Sequence, residues 1–233
     1  MALDSEFFRQ IECLYNPKMG TERMAPLLYS LICFNRPRSL LEIGAGYTTP
    51  FMAQALRDTV RDWQQEQQQS GNPNFVEGYH ARDYSPSLLC IDNQTDSRST
   101  AAQVQALVSD IGLAGFVEFV DADFTQYRQQ IDKSRLPFDF IWYDCGGMPE
   151  YYVFFQEYWQ VLNPNGGLML MHSTLTNLHI ATFIKSVKLA QATTDFANLE
   201  LLSMLEPHKK KQSSVTLIRK TSAHKETIYS VGP

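Results

Sequence analysis

The chemistry-bearing side chains of this chain stand at the ends of apolar runs: LEIGAGYTTPF (41–51), LLCIDN (88–93), VDADF (120–124), FIWYDCGG (140–147) and LMLMHST (168–174). In the first run, Gly44 and Gly46 let the backbone turn sharply and approach a ligand with no side chain in the way. Thr48 or Thr49 can cap the helix that follows, and Pro50 suits its first turn, where its missing N–H would be unpaired anyway. A dinucleotide site needs a third glycine for close helix packing beneath a pyrophosphate. Here Thr49 occupies that position, which favours a nucleoside ligand without a pyrophosphate. Asp92, closing the second run, can accept hydrogen bonds from both hydroxyls of a ribose. Asp123 and Phe124 can meet an adenine amino group and cover its ring, although Asp121 or Asp123 can equally cap the next helix. Asp144 and His172 close two further runs. A histidine titrates near neutrality and is the candidate general base, with Asp144 to orient its imidazole or to face positive charge.

The elements that must position these residues alternate along the chain. Helices are expected over 4–16, 22–35, 50–68, 99–111, 124–132 and 150–162, and strands over 39–43, 88–92, 117–120, 138–143 and 167–171. Such alternation implies right-handed crossovers and a mostly parallel sheet covered on both faces, with ligands at its carboxyl edge. Leu199–Leu205 and Ser214–Arg219 are joined by a link too short for a crossover helix, so they form an antiparallel hairpin. The fold class is therefore α/β, a Rossmann-like seven-stranded, mostly parallel sheet ending in that hairpin. Residues 1–36 are read as N-terminal helices over the cofactor site, and 37–233 as the main domain. An insertion at about 64–87 is either a surface excursion or a lid, and Tyr84 within it is a candidate for lining an acceptor pocket. Tyr151 and Tyr152, nearest the fourth strand's end, are the other lining candidates, while Phe154, Phe155 and Trp159 read as core. The run Lys209–Lys211 reads as a solvated hairpin turn.

Net charge is −5, and the sequence offers no general attraction to nucleic acid or to an anionic membrane. No apolar run reaches the roughly 20 residues that span a bilayer. Cys13, Cys33, Cys90 and Cys145 lie in apolar contexts without ligand spacing, which reads as small buried hydrophobes in a reducing compartment, the cytoplasm. The expected partner is a small-molecule acceptor, and self-association as a homodimer stays open.

Taken together, these segments resemble class I S-adenosylmethionine-dependent methyltransferases, specifically the small O-methyltransferases of the catechol and caffeoyl-CoA type. KMGTERMAPLLYSLICFNRPRSLLEIG is similar to that family's first helix and strand. FDFIWYDCGGMPEYYVFFQEYWQVLNPNGGLMLMHSTL is similar to its fourth and fifth strands, and LELLSMLEPHKKKQSSVTLIRK to its terminal hairpin. The resemblance implies S-adenosylmethionine (SAM) as cofactor. It implies that Glu42, Gly44, Gly46 and Thr48 hold its methionine end, that Asp92 binds the ribose with Asn93 beside it, and that Asp123 and Phe124 frame the adenine. Asp144 would lie near the sulfonium, and Met19 where the N-terminal segment closes over the cofactor. Metal-dependent members carry an Asp-Ala-Asp-Lys run and an Asp-Asn pair where this chain has Asp144-Cys145-Gly146-Gly147 and His172-Ser173. One carboxylate and one histidine are a poor magnesium site, so metal-free catalysis is expected. The alternatives are a SAM-binding subunit without turnover, and an NAD-dependent oxidoreductase lacking the usual third glycine.

Overall fold

The computed structural model describes residues 3–69, 75, 78–95, 99–145, 148–190 and 199–221. Two helices, α1 (Ser5–Ile11) and α2 (Met24–Asn35), precede the sheet. Asp4 caps α1 by accepting from the Phe7 N–H at 2.9 Å. The strands are β1 (Ser39–Ile43), β2 (Ser87–Asp92), β3 (Val117–Asp121), β4 (Phe140–Tyr143), β5 (Leu168–His172), β6 (Leu199–Leu205) and β7 (Ser214–Lys220). Between them run α3 (Thr48–Gln67), α4 (Ala101–Asp110), α5 (Phe124–Tyr127), α6 (Met148–Trp159) and α7 (Leu178–Ala190). The described strands form one sheet in the order β3-β2-β1-β4-β5-β7-β6. β1 to β5 are parallel; β7 lies antiparallel between β5 and β6. This is the expected Rossmann-like sheet with its antiparallel terminal hairpin.

Successive side chains of each central strand enter opposite cores, as the pleat requires. Leu41, Ile43, Ile141, Tyr143, Met169 and Met171 pack with Phe154, Phe155 and Tyr158 of α6 and Ile184 of α7. Leu40, Phe140, Trp142, Leu168 and Leu170 face the other way, onto Leu28 and Ile32 of α2 and Met52 and Leu56 of α3. Glu42, Cys90 and His172 share the parity of this second set, so three polar groups project from the sheet toward α2 and α3.

Several expectations change. The helix expected over 124–132 is the single turn α5, after which Asp132 caps a separate turn by accepting from Ser134 N–H at 2.9 Å. α7 was not legible from the sequence at all. Cys90 is buried, but Cys33 and Cys145 are only partly so and Cys13 is exposed. The described part of the 64–87 insertion does not cover the carboxyl edge. Tyr84 donates to Pro37 O at 3.0 Å, Arg38 reaches Asp83 O, and the Tyr84 ring stacks on Trp63 at 4.9 Å, all at the amino edge of the sheet. No helix among the described residues is long and apolar enough to cross a membrane.

Candidate active site

The carboxyl ends of β1, β2, β4 and β5 bring the chemistry-bearing residues together. Leaving β1, the chain turns at Gly44 with φ +96°, and its N–H donates to Ile91 O at 2.9 Å. A Cβ there would lie 2.6 Å from the Asp144 carbonyl oxygen, so glycine is required by both backbone angle and space. The next N–H, of Ala45, donates to Asp92 Oδ2 at 2.9 Å. Gly46 N–H donates to Thr49 Oγ1 at 3.1 Å, which ties the loop to the start of α3. Asp92 Oδ1 accepts from Gln94 N–H at 2.8 Å. Oδ1 also accepts from the Ser99 hydroxyl at 3.4 Å, so one carboxylate joins the glycine loop to the end of β2, and Oδ2 keeps a further lone pair for a ligand.

Beneath this loop lies Glu42, fully buried. Its Oε1 accepts from the Thr48 hydroxyl at 2.6 Å, whereas Oε2 has no partner. Burial outweighs the Thr48 hydrogen bond and pushes the carboxyl up to about 8. The orphaned oxygen is thus a buried polar atom under the glycine loop whose hydrogen bonding is unmet.

At the far side, His172 is buried beside Trp142, with ring centroids 5.8 Å apart. Its Nδ1 lies 2.7 Å from Asp144 Oδ1, and its Nε2 lies 3.3 Å from Gln212 O. Carboxylate and carbonyl oxygens only accept, so this setting favours a proton on each ring nitrogen. Burial works against the resulting charge, but Asp144 and the Gln212 carbonyl prevail and hold the histidine above its ordinary value.

The sequence matches the family described as "Methyltransferase domain" over residues 41–174. The chain belongs to this methyltransferase family. No curated protein matches it. Among solved structures, the O-methyltransferase TomG from Streptomyces achromogenes, solved in complex with SAM, is similar with a TM-score of 0.62 at 15% identity, over 94% of this chain and 91% of that one. An O-methyltransferase from Bacillus cereus in complex with SAH gives a TM-score of 0.63 at 13% identity, over 95% and 93%. An rRNA methylase from Streptococcus thermophilus gives 0.56 at 11%, over 84% and 95%. At such identities the likeness is one of fold.

In this methyltransferase, the edge unites Glu42, Gly44, Gly46, Thr48, Asp92, Asp144 and His172. Asn93 lies beside Asp92 but turns its Oδ1 to Thr95. Asp123 caps α5, accepting from Thr125 N–H at 2.8 Å, which is the capping alternative noted above. Phe124 is buried against Tyr143, Phe154 and Tyr158. Two expectations are corrected. Tyr84 is at the wrong edge to line an acceptor pocket. Tyr151 is buried, and its hydroxyl donates to His172 O at 2.8 Å, so it supports the edge from below. His172 is buried and turns both ring nitrogens to protein oxygens, not to the open edge. Tyr152 is exposed, stacked edge-on against Phe183 of α7. Met19 is exposed on the segment that crosses the edge. Gly20 and Gln212, which meet beside His172, lie within the segments quoted for the resemblance, but nothing local marked them as partners of the site.

Proposed function

We propose that this chain moves the methyl group of S-adenosylmethionine to an oxygen of a small acceptor without a metal ion. The observation that carries the reading is the carboxylate of Asp92, bonded to the Ala45 N–H across the mouth of the glycine loop. That pairing sets a ribose-binding group and a backbone cradle side by side at the carboxyl edge. The orphaned Glu42 Oε2 suits the ammonium of the donor's methionine end, and Gly46, where nothing lies within 4 Å of a Cβ, leaves room beside it for the carboxylate. Bound there, SAM supplies a methyl group on a positively charged sulfur. The Asp144 carboxylate, already balanced by His172, lies at the same edge to face that charge, as the notion of charge-matched sites requires.

The protein's part in an in-line displacement is alignment, which can lower a barrier by several kcal/mol. With His172 turned to Asp144 and Gln212, the acceptor that suits this edge is one anionic on oxygen at neutral pH, a carboxylate or an acidic phenol ionised before it binds. The oxygen–methyl bond then forms as the sulfur–methyl bond breaks, and no proton needs a base. Support for metal-free transfer is the donor set: both His172 nitrogens face protein oxygens, and no group of three potential ligand side chains converges among the described residues.

The test is release of S-adenosylhomocysteine from SAM over a panel of phenols, carboxylates, amines and a short RNA, with EDTA or with added Mg²⁺. Turnover on a phenol or carboxylate that EDTA leaves intact is the expected result. Turnover confined to amines or RNA, or abolished by EDTA and restored by Mg²⁺, would overturn the reading.

A further inference from the structure

Residues 15–22 cross the carboxyl edge as a strap with anchors at both ends. At one end the Tyr15 ring meets Tyr47, immediately after the glycine loop, at 5.9 Å between centroids. At the other, Glu22 pairs with Lys209 of the β6–β7 turn, and Lys209 also reaches Glu206 at 3.0 Å. Between them the strap is fixed by Gln212. With its amide nitrogen turned to the strap, that side chain donates to the carbonyls of Lys18 and Met19. Gly20 has φ +72°, and a Cβ at this position would collide with the Gln212 carbonyl oxygen. The same carbonyl faces His172 Nε2 at 3.3 Å, so the strap at Gly20 packs on the very atom that the imidazole holds. The turn is itself held to the end of β5, where Ser173 N–H donates to Ser214 O at 2.6 Å and Leu175 N–H donates to Ser214 Oγ at 2.8 Å.

We infer that His172 is a positioning residue: one imidazole latches the strap and the β6–β7 turn to Asp144, closing the strap over the methionine half of the methyl donor. Three parts of the chain meet on one ring. Nδ1 holds the carboxylate at the end of β4, Nε2 holds the turn, and Gly20 brings in the strap. The strap begins on the glycine loop and ends at β5, so it spans the ends of β1 and β4, which lie between them in the sheet. A ligand cradled by Gly44 and Glu42 therefore lies below it, and exchange of spent donor requires the latch to open. The sequence motif alone reads His172 as a base; the geometry gives it a different task. This inference rests on the donor site proposed above, except for the strap's own closure, which is a property of the chain without any ligand.

Two variants break the latch from opposite sides. His172→Gln keeps one donor of about the right reach but loses the bridge, and Gly20→Ala pushes the strap off Gln212 without touching the imidazole. Each is expected to raise the KM for SAM on the order of tenfold while kcat changes less than about threefold, the signature of weakened donor binding. Because they act on one unit, the double variant is expected to be no worse than the worse single one. Hydrogen exchange of the ligand-free protein reads the strap directly: amides of residues 15–22 exchange faster in both variants, with the central strands unchanged. Glu22→Gln, which removes only the terminal ion pair, serves as the mild probe where a latch variant does not fold, and is expected to speed the same amides. A loss of kcat of about a hundredfold or more in His172→Gln at unchanged KM, with Gly20→Ala like the wild type, would make His172 a base and overturn the inference. Unchanged exchange at 15–22 in all three variants would also overturn it. Should SAM fail to bind at all, the donor reading falls, whereas the exchange experiment still decides the latch.

Discussion

Glu42 is the residue whose chemistry is most altered by its surroundings. An acid at the end of an apolar run reads from sequence as a carboxylate, yet burial keeps its proton on up to about 8. The unfolded chain releases that proton near 4.5, so between those values the native state binds more protons than the unfolded one. Stability from this group therefore falls as pH rises across that window. Urea titrations should show Glu42→Gln gaining stability relative to the wild type between pH 5 and pH 8, while its affinity for SAM drops. A constant difference across that range would mean that Glu42 is ionised in the fold. At this scale the sequence was informative where the signal was local. Gly44, Asp92 and Asp144 stand at strand ends, and the structure brings them to one edge. The surroundings of His172 were not legible because its partners are remote: Gln212 lies 40 positions away and Gly20 on another element altogether. The Asp123 carboxylate was ambiguous for a simpler reason, since a cap and a ligand acceptor look alike until the neighbouring N–H groups are seen.

At the scale of elements, the strand–glycine–helix unit governs the site. The Ala45 and Gly46 N–H groups can reach Asp92 and Thr49 only because the chain reverses at Gly44 in a left-handed conformation. Gly44→Ala is expected to cost stability on the order of 1–3 kcal/mol, since it combines strain at a positive φ with a contact 2.6 Å from Asp144 O. Thermal melting should fall accordingly, and donor binding should be lost even below the new midpoint. A variant that binds SAM as the wild type does would contradict the cradle. The central strands were readable because parallel strands buried on both faces appear as continuous apolar runs. α7 was not, because Leu178 and Leu189 are exposed and blur the apolar stripe that marks a helix. The insertion was ambiguous as a lid until Tyr84 and Arg38 showed its described part seated at the amino edge.

The whole molecule is a sheet whose parallel strands all end at one edge, with a strap and a hairpin turn meeting above it. That arrangement follows from the order of elements in the sequence, and it explains why residues from 42 to 172 converge while Tyr84, close to Asp92 in sequence, lies on the other side. The fold alone does not name the ligand, since nucleotide-binding and methyl-transferring chains share such sheets. The choice rests on Asp92, the glycine loop and the buried acid beneath it. Titration calorimetry with S-adenosylhomocysteine, on the wild type and on Asp92→Ala, tests that choice most directly. One site per chain in the wild type, with affinity reduced at least about tenfold by loss of the Asp92 carboxylate, is the predicted result. Absence of binding to the wild type, or equal affinity in the two proteins, would contradict it.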